Sequence, residues 1–196
     1  MVSLCLGITA FVLYLIYDIN SFTRQWKFLH GFFLLGTGLL GIATGLDLWA
    51  AWNAGALAAG TDVLLLAGAL ICFALLIYCL FFALPFQETY AQQNTGRRVY
   101  RGGAYALCRH PGILCFFGTY LLLGLAALPE RTIRNFLIFS LLNLAYAWFQ
   151  DWVTFPKTFC DYEDYRKQVP FLIPTKNSFA MACNTLFPAH NEEDAP

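Results

Sequence analysis

The chain has 196 residues, 59% of them hydrophobic and 12% charged, with a mean hydropathy of +0.56. That balance excludes an ordinary soluble domain, because too little polar surface remains to cover the apolar mass. Net charge is zero, which excludes a bulk electrostatic pull toward nucleic acid, and no nucleic-acid partner is expected.

The first apolar run, 2–17, lacks the basic flank and small-residue cleavage site of a secretory signal and reads as a retained span. Runs 28–46, 63–86, 112–128 and 135–149 follow. At about 1.5 Å per residue, 63–86 is long enough to cross a hydrocarbon core of roughly 30 Å. The runs together predict an all-α integral membrane bundle of about five transmembrane helices. Residues 1–86 form a three-span N-terminal bundle with little chemistry. On its second run, Gly31, Gly36, Gly38, Gly41 and Gly45 predict close helix packing, with Gly41 and Gly45 in a GxxxG spacing. Asp18 is expected to be solvated at a span end. With the amino terminus outside, only Arg131 and Arg134 of the 12 lysines and arginines fall on the outer side. That asymmetry places the arginine loop and the carboxyl terminus in the cytoplasm.

Residues 87–174 carry the chemistry. A polar loop leads into Arg97-Arg98-Val99-Tyr100-Arg101-Gly102-Gly103-Ala104-Tyr105-Ala106-Leu107-Cys108-Arg109-His110-Pro111. Arginine offers a planar, permanently charged fork to carboxylates and phosphates, and glycine lets backbone approach a ligand closely. Proline starts a helix where no amide donor is needed. The stretch is therefore a candidate anion or cofactor site at a membrane surface. Arg97, Arg98 and Arg101 read more simply as topology or headgroup charges. A helical hairpin follows over 112–149, turning at 128–131.

Beyond it, Trp148, Trp152, Phe155, Phe159 and Tyr162 recur three or four residues apart, the period of an amphipathic helix with an aromatic face. Such a helix lies on the membrane surface or walls a cofactor pocket. Pro156 predicts a kink or restart at Phe155, with Thr154 as cap. Residues 175–196 read as a polar C-terminal tail. The 7 cysteines form no CxxC pair and the 3 histidines are far apart, so no metal is expected and the thiols pack as small hydrophobes.

Gly103-Ala104-Tyr105, then Arg109-His110-Pro111, a hairpin, and Tyr162-x-x-Tyr165 ahead of Val169-Pro170 and Ile173-Pro174 resemble one superfamily. It is the isoprenylcysteine carboxyl methyltransferase and phospholipid methyltransferase group of integral membrane enzymes, and the resemblance covers about residues 98–174. Where that family has tyrosine and glycine after Arg-His-Pro, this chain has Ile113 and Cys115. Where it has paired glutamates, this chain has Gln150-Asp151, so only one carboxylate survives.

The resemblance implies a methyltransferase using S-adenosyl-L-methionine on a lipophilic or lipid-linked acceptor, such as a prenylated-cysteine carboxylate. Gly103, Tyr105, Arg109, His110, Pro111, Gln150, Asp151, Tyr162 and Tyr165 would bind the cofactor, with Arg109 and Asp151 carrying the catalytic roles. Arg109 would clamp the cofactor carboxylate through parallel hydrogen bonds, and Asp151 would accept from its ribose or ammonium. The tyrosines would face sulfonium or adenine. Two other readings remain open. One is a membrane reductase of the steroid 5α-reductase type using NADPH; the other is a non-catalytic membrane scaffold.

Overall fold

The computed structural model describes residues 1–55, 63–83, 96–127 and 129–186. Among them every regular element is helical. Helix α1 spans Val2–Phe22, α2 Gly31–Asn53, and α3 Val63–Phe81. The short α4, Ala104–Leu107, precedes α5, Pro111–Ala127, and α6, Glu130–Phe149. A π-helical turn, Gln150–Thr154, leads into α7, Phe155–Thr158. Helices α8, Tyr162–Gln168, and α9, Lys176–Leu186, complete the chain.

Among the described residues three helices are long and apolar enough to cross a membrane: α1, α2 with its preceding 3-10 turn, and α3. α5 is apolar but shorter. Helix α3 buries only Ala69 and Cys79 and exposes Leu64, Leu70, Ile71 and Phe81. An apolar surface this extensive is stable against lipid rather than water. Residues 84–86, the end of the third expected run, and Leu128, in the expected hairpin turn, lie outside the described residues.

The first two helices form a hairpin because Asn20 folds the chain back. Its side chain accepts from the Trp26 amide at 2.9 Å and donates to the Trp26 carbonyl at 3.1 Å. Gln25 takes a positive φ of 52° to close the turn. Along α2 the buried positions are Gly36, Leu40, Ala43, Asp47 and Ala51, one stripe of helical period. The core of the bundle joins Phe11 and Tyr14 of α1, Leu40 of α2, Phe116 and Tyr120 of α5, and Phe136 and Phe139 of α6.

Two polar clusters fix the direction of the helices. Asp47 accepts from Ser3 Oγ at 2.8 Å and from Asn135 Nδ2 at 2.9 and 3.1 Å, all three residues being buried. At the other end, Asp18 of α1 lies within polar reach of Tyr146, Gln150 and Thr154. The start of α1 thus meets the start of α6, and the end of α1 meets the end of α6. The two helices run parallel and in register, with the two clusters about 22 Å apart along them at 1.5 Å per residue. Trp49 and Trp52 stand exposed at the Asp47 end, and Trp148 and Trp152 at the Asp18 end, the placement of paired interfacial belts.

Several expectations are corrected. Asp18 is 4% exposed rather than solvated, because Tyr146, Gln150 and Thr154 close over it. Of the second-run glycines only Gly36 makes a close approach, to Tyr14 and the Ala10 carbonyl; a Cβ at Gly31, Gly38, Gly41 or Gly45 would meet nothing within 4 Å. At Phe155 the expected restart takes the form of a change of helix type, the π turn Gln150–Thr154 giving way to α7, while Thr154 stands at the N-cap position without making a side-chain cap bond. Pro156 has no N–H to give the preceding turn, and the ladder widens to a π turn that accommodates it. Lys176–Leu186, expected within the polar tail, is a helix docked on α4, its Thr185 Oγ1 accepting from the Gly103 amide at 2.9 Å.

The close α1–α6 contact depends on Gly7, where a Cβ would sit 2.0 Å from the fully buried Phe139 ring. Gly7→Ala should therefore cost about 1–3 kcal/mol of stability in detergent, the scale of an overpacked core. Gly41→Ala should stay within about 0.5 kcal/mol. Thermal unfolding of the two variants compares them directly.

Candidate functional site: a buried arginine–aspartate lock

Pro111 disfavours helix at the residue before it, so the segment leading to α5 stays extended. Cys108 has φ −156° and ψ 161°. The free amides of Arg109 and His110 then donate to the carbonyls of Pro170 and Phe171, at 2.9 and 3.3 Å. This pairing lays the Arg-His-Pro triplet beside the chain that leaves α8.

Asp151 is at the centre, 1% exposed. Arg109 Nη2 donates to its Oδ2 at 3.1 Å, and Arg109 Nε stands 2.9 Å from Oδ1, close enough for an ion pair but off the line of a hydrogen bond. His110 Nε2 faces Oδ1 at 3.3 Å; a carboxylate only accepts, so the imidazole proton sits on Nε2. Tyr162 donates its hydroxyl to the same Oδ1. Arg166 approaches Oδ2 at 3.9 Å and lays its guanidinium 3.5 Å from the centre of the Trp152 ring. The remaining Arg109 nitrogen, Nη1, donates to the carbonyls of Arg166 and Val169 at 2.8 and 3.2 Å. Every nitrogen of Arg109 is thus turned inward.

The electrostatics follow from this geometry. Burial pushes the Asp151 carboxyl up, but the hydrogen bonds from His110 and Tyr162 and the charge of Arg109 outweigh it and hold the group below the usual carboxylate range. Burial, with the facing Asp151, pushes the Tyr162 phenol up, so it remains a donor. Burial also pushes the Cys108 thiol up to about 11, which keeps it protonated and unreactive at neutral pH.

The structure brings Arg109, His110, Asp151 and Tyr162 together and sets the other expected residues around them. Tyr165 donates to the Tyr105 carbonyl at 2.6 Å, and the Tyr105 hydroxyl donates to the Cys79 carbonyl of α3 at 2.9 Å. Gly103, with φ +56°, takes the left-handed conformation that starts α4. Gln150 does not join Asp151: the π turn sends Gln150 toward Asp18, Asp151 toward Arg109, and Trp152 outward. Arg101, expected among the topology or headgroup charges, pairs with Asp161 at 3.0 Å while Asp161 also accepts from the Val99 amide. Arg166 entered the sequence reading only as one of the inner-side basic charges and not as a site residue, although its i+4 relation to Tyr162 put it on the same face. Beside the lock, an open apolar groove of about 520 Å³ is lined by Ala145, Trp148, Phe149 and Trp152.

No family model, curated protein or solved structure matches the chain.

Because the folded-state pKa of Asp151 lies below its unfolded value, the lock stabilises the protein above about pH 4 and is lost as pH falls through the folded value. Asp151→Asn should lower stability at neutral pH by about 3 kcal/mol, since Arg109 is left buried without its charge partner. It should also flatten the acid limb of a plot of melting temperature against pH.

Proposed function

We propose that the chain is a membrane-embedded methyltransferase that takes S-adenosyl-L-methionine and a lipophilic acceptor. The observation that carries this reading is the closed Arg109–Asp151 pair. It holds one positive and one negative charge in a buried, hydrogen-bonded setting. The amino-acid end of the cofactor is a zwitterion of the same two charges. Its carboxylate fits Arg109 and its ammonium fits Asp151, so entry exchanges partners without leaving either protein charge unpaired. The five-span arrangement, with this site on the cytoplasmic side, belongs to the same proposal. The basic asymmetry supports it, as does the tryptophan belt at Trp148 and Trp152.

When bound, such a cofactor supplies an electrophilic methyl group. The chain's own residues do the rest. Arg109 and Asp151 hold the amino-acid end, while His110, Phe171 and Tyr162 offer ring faces and edges around it. The groove at Trp148 and Trp152 is open for an apolar tail to approach from the bilayer. A carboxylate acceptor is already ionised near neutral pH, so alignment and exclusion of water are what the site must provide. The inward-turned guanidinium favours a second reading, a structural lock with no ligand.

Calorimetric titration of the detergent-purified protein with S-adenosylhomocysteine separates these readings. Binding is expected in the wild type. Arg109→Ala should cost about 2–4 kcal/mol of affinity, and Arg109→Lys should restore little, because a point charge does not reproduce a fork. Arg98→Ala, at an exposed position, should leave binding intact. Heat with NADPH alone would overturn the proposal in favour of a reductase, and heat with neither ligand would leave the lock structural.

A further inference from the structure

Among the described residues two carboxylates outside the lock are buried, Asp18 and Asp47, and they differ in one respect. Asp47 is complete, its oxygens met by Ser3 and Asn135. Asp18 is not. It is buried between α1, α6 and the π turn, with Tyr146, Gln150 and Thr154 within polar reach. Its Oδ2 nevertheless has no hydrogen-bond partner, and neither has Thr154 Oγ1, which is buried as well.

No lysine, arginine or histidine pairs with Asp18 among the described residues. The nearby Lys157 turns its ammonium to the Phe22 ring instead, 4.3 Å from the centroid. An ionised Asp18 would be enclosed with no compensating charge, a costly arrangement in a low-dielectric interior. The side chains around it carry oxygen atoms, a hydroxyl, a phenol and an amide beside the carboxylate itself. Such donors suit hard cations rather than soft ones. With a single carboxylate, a divalent ion would leave a surplus positive charge in the bundle, whereas a monovalent ion brings the site to neutrality.

We infer that Asp18, Tyr146, Gln150 and Thr154 form a site for one hard monovalent cation of the sodium class. The ion ties α1 to the π turn. That turn also carries Asp151 on its other side, so occupancy steadies the residue on which the arginine lock is built. The site stands independently of the methyltransferase proposal.

The test is the melting temperature of the full-length protein in detergent at fixed pH, with sodium chloride replacing N-methylglucamine chloride at constant ionic strength. A saturable rise of about 3–6 °C is expected at sodium concentrations roughly tenfold above half-saturation. Asp18→Asn and Thr154→Val should each abolish the sodium-dependent increment, whatever their own baseline. Asp47→Asn should keep it. Broadening of the sodium-23 resonance by wild-type protein, reversed by lithium, tests the site without any variant. The inference is overturned by a wild-type melting temperature that is flat in sodium, by an increment that survives Asp18→Asn, or by an equal rise with every salt. A response to pH without a response to sodium also overturns it, since the occupant is then a proton.

Discussion

The site half of the structure depends on one constraint, that a carboxylate buried as deeply as Asp151 must be neutralised and hydrogen-bonded where it stands. Its partners come from two separated stretches of chain, Arg109 and His110 ahead of α5, and Tyr162 and Arg166 on α8. Satisfying the carboxylate therefore fixes the extended triplet, the π turn and α8 relative to one another. The consequences spread outward through Tyr165 to the Tyr105 carbonyl, and through Tyr105 to α3. A network closed in this way confers definition on a region with little apolar core of its own, the cluster around Tyr162, Tyr165 and Val169.

The membrane half rests on a different device. Lipid gives no hydrophobic drive for helices to associate, so small residues and buried polar groups decide their order. Gly7 and Gly36 bring α1 against α6 and α2, and the Ser3–Asp47–Asn135 cluster ties the far ends of the same helices. The parallel register of α1 and α6 carries the Asp151 turn to a defined depth.

The sequence made the helices legible, because apolar runs of that length have few alternatives. It also brought Arg109, His110, Asp151 and Tyr162 under suspicion together, through the resemblance rather than through any local spacing. What it did not reveal is that these residues satisfy one another. Gln150 and Asp151 are neighbours in the chain and read as one site, yet a widened turn sends them to opposite sides, toward Asp18 and Arg109. The only local sign of that turn is Pro156, whose missing amide predicts a disturbance without saying whether the helix breaks or widens. Ser3, Asp47 and Asn135 were equally hidden, since their contact joins three helices and leaves no periodic trace. The second-run glycines misled for the converse reason: a small-residue stripe shows where a helix could pack closely and not whether a neighbour is there.

A double-mutant cycle between Arg109 and Asp151, read by reversible unfolding in detergent, tests the central claim most directly. Arg109→Met and Asp151→Leu should each be destabilising by about 3 kcal/mol, because each leaves a buried charge alone. The double variant should lose far less than their sum, giving a coupling of about 2 kcal/mol or more. Effects that add to within about 0.5 kcal/mol would show that the two residues act independently and would contradict the account.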